Sequence, residues 1–249
     1  AAQAPAGAAP RPAPPPVYNS PSNLKASEVV HQAIAALGGP AYLHFTGRRG
    51  QGHLFTFDLR GQLADPGILF WSYYRYPDAQ RLELTKQRNV IYIYNGDRGW
   101  NVNYRGARPL GAKAMRRVHD ERQHSLDVIL RQWAAQPQTL MLYHAADLAS
   151  ARPVEQVSFY TAGGRSATVS FSISTHLPLE ISWRVPNPYS GGFTTESVTF
   201  GNYQPFQGID TPLTVESFSG TTPRQEEYYT AIQYGPLPAT LFEPPPRRR

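Results

Sequence analysis

Three groups of residues in this chain carry side chains suited to chemistry. The first is His119-Asp120-Glu121-Arg122-Gln123-His124. Two imidazoles beside carboxylates on a helix are raw material for a zinc site. Metal-binding histidines on one helix, however, sit three or four residues apart so that both rings leave one face. His119 and His124 are five apart, which turns the second ring away from the first, and no metal site is expected. The second group is Glu180, Glu196 and Glu216, on segments that read as strands. Paired carboxylates on neighbouring strands can do acid–base work, including glycoside cleavage. Each of these alternates with apolar neighbours and is expected to face solvent. A solvated carboxyl keeps its ordinary pKa and is a poor acid near neutrality. The third group is Gly47-Arg48-Arg49-Gly50-Gln51-Gly52, where glycine backbone beside two guanidiniums resembles an anion nest. A phosphate loop is followed by a helix, whereas His53-Leu54-Phe55-Thr56-Phe57 alternates like a strand. An ordinary β-turn is expected there. No Gly-x-Ser-x-Gly elbow is present, and no cysteine. Thiol catalysis, disulfides and cysteine zinc sites are thereby excluded. The chain is read as a non-enzyme that needs no cofactor.

Binding is the remaining class. The net charge is +6 over 249 residues, which permits anionic partners. The basic residues are scattered and not gathered on one helix, so nucleic acid is not expected. Those of Arg105–Arg117 surround a helix entry, where an anionic membrane surface or a lipid phosphate is the conceivable partner. No run reaches the roughly 18 apolar residues of a membrane-spanning helix.

The elements follow from periodicity. Residues 1–22 are rich in Pro and Ala and form a disordered arm. The Ala1-Ala2-Gln3 start looks like a mature N-terminus left by signal-peptide cleavage, which predicts a periplasmic or secreted protein. Ser27 is placed to cap a helix whose stripe is Val29, Val30, Ala33, Ile34 and Leu37, with Gly38-Gly39-Pro40 as its stop. Ile68–Tyr76 carries aromatics on both strand faces. In Asn89–Tyr104, Val90, Tyr92 and Tyr94 point one way and Ile91 and Ile93 the other. Asn95-Gly96-Asp97-Arg98-Gly99 supplies the turn, and Trp100, Val102 and Tyr104 share a face of the return strand. Lys113–Trp133 has helical spacing, as one bent helix or two short ones. The later strands, among them Ala167–Ser174 and Leu177–Val185, alternate strictly and are wet on one side. The last residues, 245–249, are a basic tail.

Early strands that are apolar on both faces, later strands apolar on one, and too few helices to cover them fit one solution. The chain is predicted to be a mostly β (α+β) single domain over residues 23–244. Its strongly curved, unclosed antiparallel sheet holds helices over the concave face. Phe70, Tyr74, Tyr92, Tyr94, Trp100 and Trp183 are the candidates to line a cavity there. Apolar walls with a few placed polar groups are what hydrophobic ligands require.

Four local patterns then resemble the LolA/LolB-like superfamily, to which periplasmic lipoprotein carriers belong. They are Tyr94-Asn95-Gly96-Asp97-Arg98-Gly99-Trp100, Thr175-His176-Leu177-Pro178-Leu179-Glu180-Ile181, the segment from Phe200-Gly201-Asn202-Tyr203 to Gly208-Ile209-Asp210-Thr211-Pro212, and Leu241-Phe242-Glu243-Pro244. The resemblance implies an unclosed β-barrel capped by helices, with an apolar cavity for a lipid, acyl chain or lipoprotein in the cell envelope. Two other readings stay open. One is a structural or interaction module with a filled core that engages an envelope protein. The other is a secreted hydrolase.

Overall fold

In a computed structural model of the protein, the described residues are 20–149, 152–187 and 191–245. They contain one antiparallel sheet of thirteen strands. The first meander comprises β1 (Gly47–Phe57), β2 (Leu63–Arg75), β3 (Ala79–Leu84), β4 (Val90–Asn95), β5 (Arg98–Asn103) and β6 (Gly106–Pro109). The second comprises β7 (Leu140–Ala149), β8 (Arg152–Tyr160), β9 (Ser166–Ser172), β10 (Pro178–Pro186), β11 (Phe193–Phe206), β12 (Ile209–Ser219) and β13 (Thr222–Tyr234). The two meanders join where β1 pairs with β13, so β6 and β7 are the outer edges. These strands are consecutive in the chain yet lie at opposite ends of the sheet. The connection between them must therefore cross its width. It does so as α3 (Ala112–Gln123) and α4 (Leu126–Val128), the latter running into a π-helical turn, Ile129–Trp133. The sheet is curved and unclosed, and its helices lie on the concave side, as the patterning predicts.

Two cores follow from the two faces. On the concave side, α1 (Pro21–Ala36) presents Ala26, Val29, Val30 and Ala33. With Val128, Ile129, Leu130 and Trp133 they bury Val157, Phe159, Val169, Phe171 and Ile181 of the second meander. Each such side chain, removed from water, stabilises the fold by roughly 1.5–3 kcal/mol. On the convex side of the first meander, Ala79, Ile93 and Val102 pack beneath Leu237 and Phe242 of the closing 3-10 turn, Ala239–Phe242. The convex face of the second meander has no such cover among the described residues. It carries Gln156, Ser158, Thr168, Ser170, Ser182, Ser197 and Thr199, with Ser158 and Thr168 bonded at 2.8 Å.

Three local expectations are corrected. Helix α1 starts at Pro21, not after Ser27, and Ser20 is its cap, accepting from the Asn23 amide at 3.2 Å. Proline at the first helical position needs no hydrogen-bond partner and sets the helical φ. The start therefore lies about two turns ahead of the apolar stripe that begins at Val29. The early start has a use: Ser22 and Asn23 bond Tyr143 and Met141 on the outer edge of β7, satisfying backbone groups that would otherwise invite another strand. Of the Pro-rich arm, only residues 20–22 are described, and they belong to the helix. Second, Gly47–Gly52 is not a turn. It lies inside β1, bulged between Gln51 and Gly52. A Cβ on Gly50 would sit 2.6 Å from the Tyr229 ring, and one on Gly52 would collide with the Tyr228 carbonyl. These glycines let β13 approach at the joint of the two meanders. Third, Tyr42–Phe57, which reads in the sequence as a strand or hairpin around Gly47–Gly52, opens instead with the end of a short helix, α2 (Pro40–His44).

Candidate ligand-binding surface

Alternation along the joined strands places a continuous set of side chains on the concave face. Leu54 of β1 stands opposite Ile68, and in β2 and β3 Phe70 faces Leu84 and Ser72 faces Leu82, which in turn faces Tyr92. Across the joint Leu54 faces Glu227, Glu227 faces Val215, and Val215 faces Phe200. Helix α1 packs against β7 and β8, at the far end of the sheet. Ile68, Leu82, Leu84, Phe200, Leu213 and Val215 consequently remain half-buried. They rest on the concave core and still reach solvent.

The sequence-predicted lining residues divide between the faces. Phe70 is 1% exposed and meets the Tyr229 ring edge-on at 5.1 Å. Tyr74 is half-buried on the same face, with the Arg48 guanidinium 5.8 Å from its ring centre. Tyr92 and Tyr94 are also half-buried there. Tyr94 lies under α3, and burial pushes its phenol up to about 12. Its neighbour Gly99 makes room for the helix, since a Cβ would meet Met115 Sδ at 2.5 Å. Trp183 stacks on His124 at 4.7 Å with the planes 3° apart. Trp100 does not share this wall. It stands opposite Ile93 in the β4–β5 pair and packs with the convex cluster, Arg98 lying 5.4 Å from its ring centre. In an antiparallel pair, facing residues share a face, so Trp100 goes with Ile93 and not with Tyr92 or Tyr94.

The residues suited to chemistry do not converge. His119 pairs with Asp97 of the β4–β5 turn at 3.3 Å. His124 is buried against Trp183 and Trp133, and its pKa is lowered, mainly by that burial. The two histidines thus serve different contacts. Glu180 and Glu216 flank Thr199 on the convex face, and burial raises the Glu180 pKa. Glu196 stands opposite Trp183 on the other face and accepts from Ser219 at 2.6 Å. The expectation that all three glutamates face solvent alike is therefore corrected for Glu196. Two open clefts occur in the second meander. One, of about 390 Å³, is lined by Leu177, Leu179, Phe200 and Tyr203 among others. The other, of about 300 Å³, is lined by Ser158, Thr168, Trp183 and Arg184 among others.

A polar group at the joint was not anticipated as a site. Glu227 accepts from the Tyr229 hydroxyl at 2.7 Å and from Gln225 at 2.8 Å, and burial raises its pKa. Arg131, on the π-helical turn, is sandwiched between the rings of Tyr76 (3.6 Å) and Phe45 (4.4 Å) and donates to the carbonyls of Leu43 and Phe45. Its Nε and Nη1, and the hydroxyls of Tyr42 and Tyr74, are buried without a hydrogen-bond partner among the described residues. Nothing local in the sequence brings these residues together, because they come from α2, β2 and the interior crossing.

No family model matches the chain, and no curated protein matches it in sequence. Solved structures do match in fold. A DUF1329 family protein from Desulfovibrio piger superposes with a TM-score of 0.63 at 10% identity, covering 90% of this chain and 98% of its own. A LolA superfamily protein from Nitrosomonas europaea gives 0.56 at 10% identity, covering 88% of this chain and 97% of its own. An outer membrane lipoprotein-sorting protein domain from Vibrio parahaemolyticus gives 0.55, again at 10% identity, with 88% and 97% covered. The chain has a LolA-like fold.

Proposed function

We propose that the protein binds and carries a hydrophobic ligand on the concave face of its sheet, without catalysing a reaction. The ligand would be a lipid, an acyl chain or the acylated end of a lipoprotein, and the setting the periplasm or another part of the cell envelope. The observation that carries this reading is the half-buried apolar row Ile68, Leu82, Leu84, Phe200, Leu213 and Val215, on the face that also holds the helices. An apolar surface left open on the inner side of a curved sheet is favourable to cover. At about 0.8 kcal/mol per buried CH₂, an acyl chain of some 12–16 carbons contributes on the order of 10 kcal/mol before ordering costs. That is enough for carriage without covalent attachment. The similarity to LolA-like structures supports the architecture of such a site. The scattered positions of His119, His124, Glu180, Glu196 and Glu216 support binding over hydrolysis.

Native mass spectrometry of gently purified protein tests the proposal. Bound lipid, displaced by added fatty acid and lost in Leu84→Asp/Val215→Asp, is the expected result. Protein that carries nothing and binds no fluorescent fatty acid would leave a filled structural module as the reading.

A further inference from the structure

We infer that the ligand is an amphiphile with an anionic head, a carboxylate or a phosphate, received at the polar joint by Arg48, Arg131, Tyr42 and Tyr74. This rests on the proposed binding function and names the class of ligand. The geometry centres on the Phe45 ring. Tyr42 and Tyr74 lie 6.1 and 6.5 Å from it, and the Arg131 guanidinium 4.4 Å. Tyr74 in turn lies under Arg48, its partner across the β1–β2 pair. Four donors here have no acceptor within 3.5 Å among the described residues: Arg131 Nε and Nη1 and the two tyrosine hydroxyls. Tyr42 is only 3% exposed, so water cannot freely satisfy its hydroxyl. A buried donor left unpaired costs roughly 1–3 kcal/mol, and such a group calls for an occupant.

Charge indicates which occupant. Among the described residues, no carboxylate oxygen comes within 4.0 Å of either guanidinium. Asp127 acts through its charge on Arg48, Tyr42 and Tyr74 and also as a hydrogen-bond acceptor toward Tyr42, and Glu227 and the Tyr234 hydroxyl act on Arg48. Glu227 is already occupied by Tyr229 and Gln225. Two guanidiniums whose carboxylates lie beyond ion-pair reach, with Arg131 Nε and Nη1 and the Tyr74 hydroxyl left to donate, suit an oxyanion with several lone pairs. Arg48 is half-buried on the same face as the apolar row, three pairs along β1 from Leu54, which faces Ile68. A head held there leaves a chain free to lie along that row.

The test uses three ligands of equal chain length, palmitate, hexadecyl phosphate and 1-hexadecanol, against wild-type protein and the variants Arg48→Gln and Tyr74→Phe. Wild type should bind one or both anions at least tenfold more tightly than the alcohol, the size of one charge-assisted hydrogen bond. Arg48→Gln should remove most of that preference and leave alcohol binding unchanged, with Tyr74→Phe causing a smaller loss. Tighter binding of palmitate assigns a carboxylate head, and of hexadecyl phosphate a phosphate. Equal binding of all three by wild type overturns the inference and leaves the binding function standing, even if Arg48→Gln does not fold. Binding of none overturns both.

Discussion

The two meanders bury opposite faces, and the contrast explains where a ligand can go. In the second, α1 and the α4–π segment cover the concave side, while the convex side is a Ser/Thr surface whose Ser158, Ser170 and Ser197 are buried among their neighbours, against the expectation that this side is wet. In the first, Leu237 and Phe242 seal the convex side over β3–β5, and the concave side sets the half-buried Ile68, Leu82 and Leu84 beside the buried Leu54 and Phe70. Strands that are apolar on both faces thus have two different fates for their two faces. One becomes core under the returning chain end. The other becomes floor beneath the crossing helices, with half-buried apolar residues at its margin. A strand that was merely a core strand would show no such difference.

The largest effect should come from removing the convex seal. Phe242 is fully buried, lies 4.9 Å from the Arg75 guanidinium and anchors a segment whose carbonyls accept from Arg81 and Asn95. Phe242→Ala should cost about 3–5 kcal/mol, read by denaturant unfolding, with hydrogen exchange accelerated first in β3–β5. Loss confined to the second meander would contradict the assignment of this seal. At the joint, Gly52→Ala forces a methyl into the Tyr228 carbonyl and should cost about 1–3 kcal/mol. It should weaken protection of β1 and β13 together.

One pH effect should arise where His124 packs beside the crossing helices. His124 is buried, and its pKa is lowered from the usual value of about 6.5, chiefly by desolvation. Its neutral form is therefore favoured in the folded protein. The stability this gives is complete above the ordinary histidine pKa and is lost as pH falls from there through the lowered folded-state value. Trp183 fluorescence, followed against pH between neutrality and 5, should report it, and His124→Gln should flatten the curve. The smallest effect belongs to the Ser/Thr face, at its half-buried Ser182. Ser182→Thr should shift stability by no more than about 0.5 kcal/mol, the usual range for surface changes away from special features. A larger cost would mean that this face is covered.

How much of this was legible in the sequence depends on locality. Strict alternation separated the concave from the convex side in Ala167–Ser172 and Glu180–Val185, because a period of two needs no tertiary information, and failed at Pro178, which a bulge before Glu180 turns toward Phe171. The break in Lys113–Trp133 appears at His124–Ser125, where Ser125 caps the next turn. The glycines of β1 were misread, because close approach to a strand from the far end of the chain leaves the same letters as a turn. Trp100 was grouped with Tyr92 and Tyr94 by aromatic character, although pairing with Ile93 sends it to the other side. The joint between Arg48, Arg131, Tyr42 and Tyr74 was invisible for the same reason as the glycines. It exists only once β13 meets β1 and the interior crossing is in place.

The central claim is that the two faces of the first meander differ in what they meet. Methyl chemical shifts, recorded while protein is titrated with palmitate, test it directly. Ile68, Leu82, Leu84, Leu213 and Val215 should shift together and saturably, while Ile91, Ile93 and Val102 on the sealed face stay in place. Shifts on the sealed face, or no saturable shift on the concave row, would contradict the account.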